Sequence, residues 1–102
     1  LNISMHENIC NTIIGIIVKK NIIQFAEVRD ILYDLFIYNI DIHESMWYIV
    51  SHLIHNDYIQ QQNITEVLMK LWDILKKYNN NYRPIYHLEN FLFYLIKKVH
   101  EL

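Results

Sequence analysis

One glycine, one proline and one cysteine occur among 102 residues. Sheets joined by tight turns use glycine and proline at their corners, so this scarcity argues against an all-β architecture. A single glycine, Gly15, lying inside a helical pattern, also excludes a glycine-rich phosphate-binding loop. The lone Cys10 cannot form an internal disulfide, and a reducing intracellular compartment is the simpler expectation. Arginine is scarce: Arg29 and Arg83 stand alone, and the net charge is -2. A chain that binds nucleic acid unaided needs a basic excess on one face, which this balance does not offer. The longest apolar run, residues 13–18, is far too short to span a bilayer, so no membrane partner is expected. No basic, apolar and small-residue succession marks a signal peptide. The chain opens at Leu1 and is expected to be part of something longer.

What is present is apolar and helical. The hydrophobic fraction is 53% and the charged fraction 20%, which fits one globular domain covering residues 1–102. Isoleucine, asparagine, lysine and tyrosine all have AT-rich codons, and their abundance reads as genome bias. The glycosylation-type triplets at Asn2 and Asn63 fall within that bias. Four segments open with a capping residue followed three positions later by Glu or Gln: Ser4 with Glu7, Asn21 with Gln24, Asp41 with Glu44, and Asn63 with Glu66. In such a box the first side chain accepts a free amide of the first turn, and the second reaches back to the cap. Pro84 supplies a fifth start, where its missing amide costs nothing. Lys19-Lys20, Lys76-Lys77 and Lys97-Lys98 fall near helix ends, opposite the partial negative charge of free carbonyls.

These signals predict helices over about 4–20, 21–38, 41–57, 63–78 and 84–102, in an all-α, compact bundle of about five helices. Their inward stripes follow i, i+3, i+4, i+7 spacing. The second offers Phe25, Val28, Leu32, Leu35 and Phe36, and the third Ile42, Met46, Ile49 and Leu53. The fourth offers Ile64, Leu68, Leu71, Leu75 and Tyr78, and the fifth Ile85, Leu88, Leu92, Leu95, Ile96 and Val99. The first is less clean, with Cys10, Ile13, Ile14 and Ile17 as its best stripe. Cys10 is therefore expected to be buried and slow to react. Asn79, Asn80 and Asn81 mark the one stretch expected to be mobile.

Apolar residues remain after each helix has its stripe. His43, Trp47, Val50 and Ile54 form a second row on the third helix. Tyr86, Phe91, Phe93 and Tyr94 lie off the stripe of the fifth, and Tyr33 and Ile37 off that of the second. A wider core would absorb some of them, but wide bare patches with Trp, Tyr and Phe are the mark of partner surfaces. The candidate interface residues are Tyr33, Trp47, Ile54, Tyr86, Phe93 and Tyr94.

Catalytic and metal patterns are weak. His52 and His55 share a helix face three residues apart, yet no Glu-x-x-His or His-Glu-x-x-His sequence occurs. His87 and Glu89 are two apart and fall on different faces, which argues for structure rather than acid–base chemistry. No catalytic role, metal or cofactor is expected.

Two stretches together resemble a known family. Residues 25–56, with Glu27-Val28-Arg29 followed by Leu32-Tyr33, and residues 84–95, with Ile85-Tyr86-His87-Leu88-Glu89, are similar to the C-terminal region of a eukaryotic replication factor C small subunit. The likeness is closest to the small subunit at an end of the clamp-loader arc; residues 1–20 match only as a generic helix, and residues 57–81 weakly. It implies a helical collar domain that follows ATPase domains in the full subunit. Collars pack into a ring that holds five subunits together, and the complex loads the sliding clamp on primer–template DNA. The resemblance thus implies a nuclear, non-catalytic assembly domain. Its partners would be other replication factor C subunits, with clamp and DNA met only through the full complex. It also suggests an ion pair between Arg29 and Glu89, since each belongs to one of the two resembling stretches. The alternatives are an unrelated intracellular helical adaptor that binds an amphipathic partner helix, and a small metal-dependent helical enzyme.

Overall fold

The computed structural model describes residues 5–19, 25–38, 40–77 and 85–100. Five α-helices follow one another: α1 (Met5–Val18), α2 (Phe25–Ile37), α3 (Ile42–His55), α4 (Ile64–Lys77) and α5 (Ile85–His100). A short 3₁₀ turn, Gln61–Asn63, leads into α4. No strand occurs among the described residues. The described residues form an all-α bundle of five helices. Its radius of gyration, 13.0 Å, matches the roughly 13 Å of a close-packed chain this long.

Helix α1 is the hub. It packs against α2, α3 and α5, while α2 also meets α5, and α4 closes over α3 and α5. Burial of Ile9, Cys10, Ile13, Ile14, Ile16 and Ile17 follows from having neighbours on three sides. This is a wider face than the four-residue stripe expected from spacing. At the far end of the α1–α5 contact, the His100 ring donates from Nε2 to the carbonyl of Ile17 at 2.9 Å. That bond satisfies one of the last carbonyls of α1, which have no helical partner.

Helix α3 has clean ends. Asp41 accepts the Glu44 amide through Oδ1 at 3.0 Å, the expected cap. At its C-terminal end, Tyr58 N–H bonds to Leu53 O at 3.0 Å and Asp57 N–H to Ile54 O at 3.2 Å. This paired closure needs a left-handed residue between, and Asp57 takes it with φ 60°. The stripe of α3, Ile42, Met46, Ile49 and Leu53, is buried throughout.

Several expectations need correction. Val50 and Phe91, assigned to second rows, are core residues, because α3 is packed by both α1 and α4, and α5 by α1, α2 and α4. In α4 the buried residues are Val67, Leu71, Ile74 and Leu75, so the stripe is rotated from the expected one, and Ile64 and Leu68 are only half-buried. Glu66 does not close a box with Asn63; its carboxylate accepts from Tyr94 and Lys98 of α5 instead. A charged donor across the seam outcompetes the weak amide of the cap. The helix-start signals at Ser4, Asn21, Gln24 and Pro84, and the stretch 78–81, lie outside the described residues.

Candidate interaction surface

The α2–α5 seam joins the two stretches singled out by sequence. Arg29 donates from Nε to Glu89 Oε2 at 2.8 Å and from Nη2 to Oε1 at 3.0 Å. The fork is bidentate, the geometry in which a guanidinium holds a carboxylate most specifically. Glu89 is buried and the Arg29 side chain is half in solvent. Helical direction places Tyr33 one turn after Arg29, and Tyr86 almost one turn before Glu89. Tyr33 is 46% exposed and Tyr86 50%. The Tyr86 ring lies 4.2 Å from that of His87; a separation of two residues puts His87 on a different face of α5 from Glu89.

Three candidates are partly covered by the bundle itself. Ile54 and Phe93 are half-buried and pack against the core. Tyr94 also packs there, and its hydroxyl donates to Glu66 Oε2 at 2.6 Å. Lys98 reaches the same carboxylate at 3.0 Å. Burial, and then the Glu66 carboxylate, push the Tyr94 hydroxyl above its ordinary value. The Tyr94 hydroxyl, followed by Lys98, holds the Glu66 carboxyl below the usual carboxylate range. Tyr94 is therefore the centre of a polar latch between α4 and α5. Most of the apolar surplus of α5 is taken up by its own bundle, and Tyr86 alone of its large apolar groups is exposed among the described residues.

Trp47 belongs to another region. It lines a groove of about 1030 Å³ together with Leu68, Met69 and Trp72 of α4. Sequence spacing missed Met69 and Trp72. Each follows one residue after a position assigned to the core stripe, Leu68 and Leu71, and the signal was their size beyond what that stripe needed.

Little in the described residues suggests chemistry. Cys10 is fully buried against α3, with its thiol 3.9 Å from the carbonyl of Ser45. Burial raises its pKa above 9.0. His55 donates from Nδ1 to Ser51 O at 2.8 Å, a bond within its own helix. No group of three or more metal-ligating side chains gathers among the described residues. None of the described helices is long and apolar enough to cross a membrane.

The described residues form an all-α bundle with uncovered aromatic side chains that include those beside the α2–α5 seam and those where Trp47 meets α4. No family model, curated protein or solved structure matches the chain.

Proposed function

We propose that this chain is the collar domain of a replication factor C small subunit, a non-catalytic assembly module of the nuclear clamp loader. The observation that carries the reading is the Arg29–Glu89 fork. It ties together the two stretches whose residues resemble the family, and it leaves Tyr33 and Tyr86 bare near either end. A buried carboxylate held by two bonds permits one rotation of α2 against α5, since any other leaves the charge unpaired. The aromatic side chains beside it are thereby held on a preformed surface, which lowers the ordering cost of association. In this role the domain packs on neighbouring collars, while ATP hydrolysis belongs to other domains of the subunit. The sliding clamp and DNA are met only by the assembled complex.

The test is assembly. Tyr33→Asp, Tyr86→Asp and Trp47→Asp, placed singly in the full-length subunit, are expected to weaken its incorporation into the five-subunit complex on gel filtration. The corresponding 102-residue domains should still melt cooperatively, because each side chain is exposed. Phe93→Asp is expected to unfold the domain instead, since Phe93 packs on the core. Full incorporation of all three surface variants sinks the proposal, as does a coding sequence upstream of Leu1 with no nucleotide-binding loop.

A further inference from the structure

The groove between α3 and α4 holds the most exposed aromatic side chain of the described residues. Trp72 is 61% exposed, Met69 68%, and Trp47 lines the same groove from α3 at 43%. Along α4 the lining recurs at Thr65, Met69, Trp72 and Lys76. That four-three-four spacing covers about 16 Å, or three helical turns. Trp47 is the single α3 residue of the lining, so the site is a face of α4 edged by Trp47, long enough to take a further helix with apolar anchors at i, i+3 or i+4, and i+7.

Charge selects the kind of helix. Two carboxylates line the groove, and both are already matched within the chain. Glu66 is paired with Lys98 at 3.0 Å, and Asp73 with Lys77 at 3.4 Å. Lys70 and Lys76 also line it, and no carboxylate among the described residues forms an ion pair with either. Lys70 lies 5.3 Å above the Tyr94 ring. The lining alone holds two lysines and two carboxylates; because Lys98 and Lys77, just outside it, pair with the two carboxylates, Lys70 and Lys76 are left as its cationic groups without an ion pair among the described residues. We propose that the α3–α4 groove docks an acidic amphipathic helix of about three turns. Its apolar face seats among Trp47, Met69 and Trp72, and its flanking carboxylates meet Lys70 and Lys76. Single-stranded nucleic acid could stack on Trp47 and Trp72, but two lysines beside two carboxylates neutralise few phosphates, so it fits less well. The groove shares Trp47 with the residues assigned to collar contacts, so its test is placed on Met69, Trp72 and Lys76, which the collar reading does not use.

Fluorescence anisotropy with a labelled peptide of about 15 residues tests this. The probe is alanine-rich, with leucines on one face and glutamates on its flanks. Saturable binding to the 102-residue chain is expected. The double change Met69→Ala with Trp72→Ala should weaken it by about tenfold or more, the loss of an anchor pair. Lys76→Glu should weaken it by about threefold through charge reversal at the rim. Circular dichroism melts of both variants should match that of the parent, because all three side chains are exposed. Absence of saturable binding overturns the proposal. So does equal binding of a scrambled peptide or of one flanked by lysines, or tighter binding of a labelled oligodeoxythymidine. A concentration-dependent dimer in sedimentation, dispersed by Trp72→Ala, would assign the groove to a second copy and overturn it too.

Discussion

Truncating Phe91 to alanine tests the packing of the bundle at its most enclosed aromatic residue. Phe91 is 1% exposed and stands among helices α1, α2 and α4 around α5. Its ring also stacks with that of Tyr94, with centroids 6.2 Å apart. Removing the ring returns roughly 150 Å² of apolar surface, which at about 25 cal/mol per Å² is about 4 kcal/mol. That agrees with the roughly 3–5 kcal/mol lost when buried phenylalanines are cut back to alanine. A domain of this size has about 5–15 kcal/mol in total, so the change removes a large share. The expected fall in Tm is about 15–30 °C. Urea denaturation followed by circular dichroism at the helical band measures the free-energy loss, with Tyr86→Ala on the exposed side of the same helix as the reference. The reference should stay within about 0.5 kcal/mol of the parent. A loss below about 1.5 kcal/mol for Phe91→Ala would mean that the ring is not enclosed and that α5 is packed on fewer sides than described.

Other consequences can be checked on the same protein. A methyl group added at Gly15 meets no atom within 4 Å, so Gly15→Ala should stabilise α1 by about 0.8–1 kcal/mol and raise Tm by several degrees; an unchanged or lower Tm would contradict the exposed helical site. Cys10 should react with thiol reagents only as fast as the domain opens, and rapid stoichiometric labelling without denaturant would refute its burial. The unfolded chain loses the thiol proton near the ordinary value of 9.0 while the folded chain keeps it, so stability should decline as pH rises past that value. Cys10→Ala should flatten this part of the profile, and an identical profile would show that another group sets it. Glu66 works in the opposite direction: its carboxyl is more acidic in the fold, so its contribution is present above the ordinary value of 4.5 and is lost on acidification below it. Glu66→Gln should reduce that acid-side loss, and an unaltered acid limb would exclude the α4–α5 latch as its source.

Where one helix face meets one neighbouring layer, spacing reads directly as burial. On α3 the spacing stripe Ile42, Met46, Ile49 and Leu53 is buried against α1, although α4 buries a further residue, Val50. The isoleucine-rich α1 has no such phase. Apolar residues on nearly every side do not reveal that three helices surround it, so its place as hub was not legible. On α4 both Leu68 and Val67 are plausible inward residues, and the choice depends on where α3 and α5 sit, which no local pattern encodes. Trp47 was found as part of a surplus row, whereas Met69 and Trp72 were hidden by adjacency to a stripe drawn too broadly. The Arg29–Glu89 contact spans 60 residues of sequence and came from the resemblance of the two stretches, since charge and spacing alone offer Arg29 many other carboxylates. Val50 and Phe91 were misplaced because a helix embraced from several sides buries more than one row.

The central position of α1 has a consequence during synthesis. Its isoleucines are made before all three helices that cover them, α5 follows the other four described helices, and the bond from His100 to Ile17 joins residues 83 positions apart. A ribosome adding about 5–20 residues per second takes roughly 4–17 s to cross that interval. Throughout it, an apolar helix stands without its full cover, open to chaperones and to other nascent chains. Slow codons within α5 would prolong that exposure.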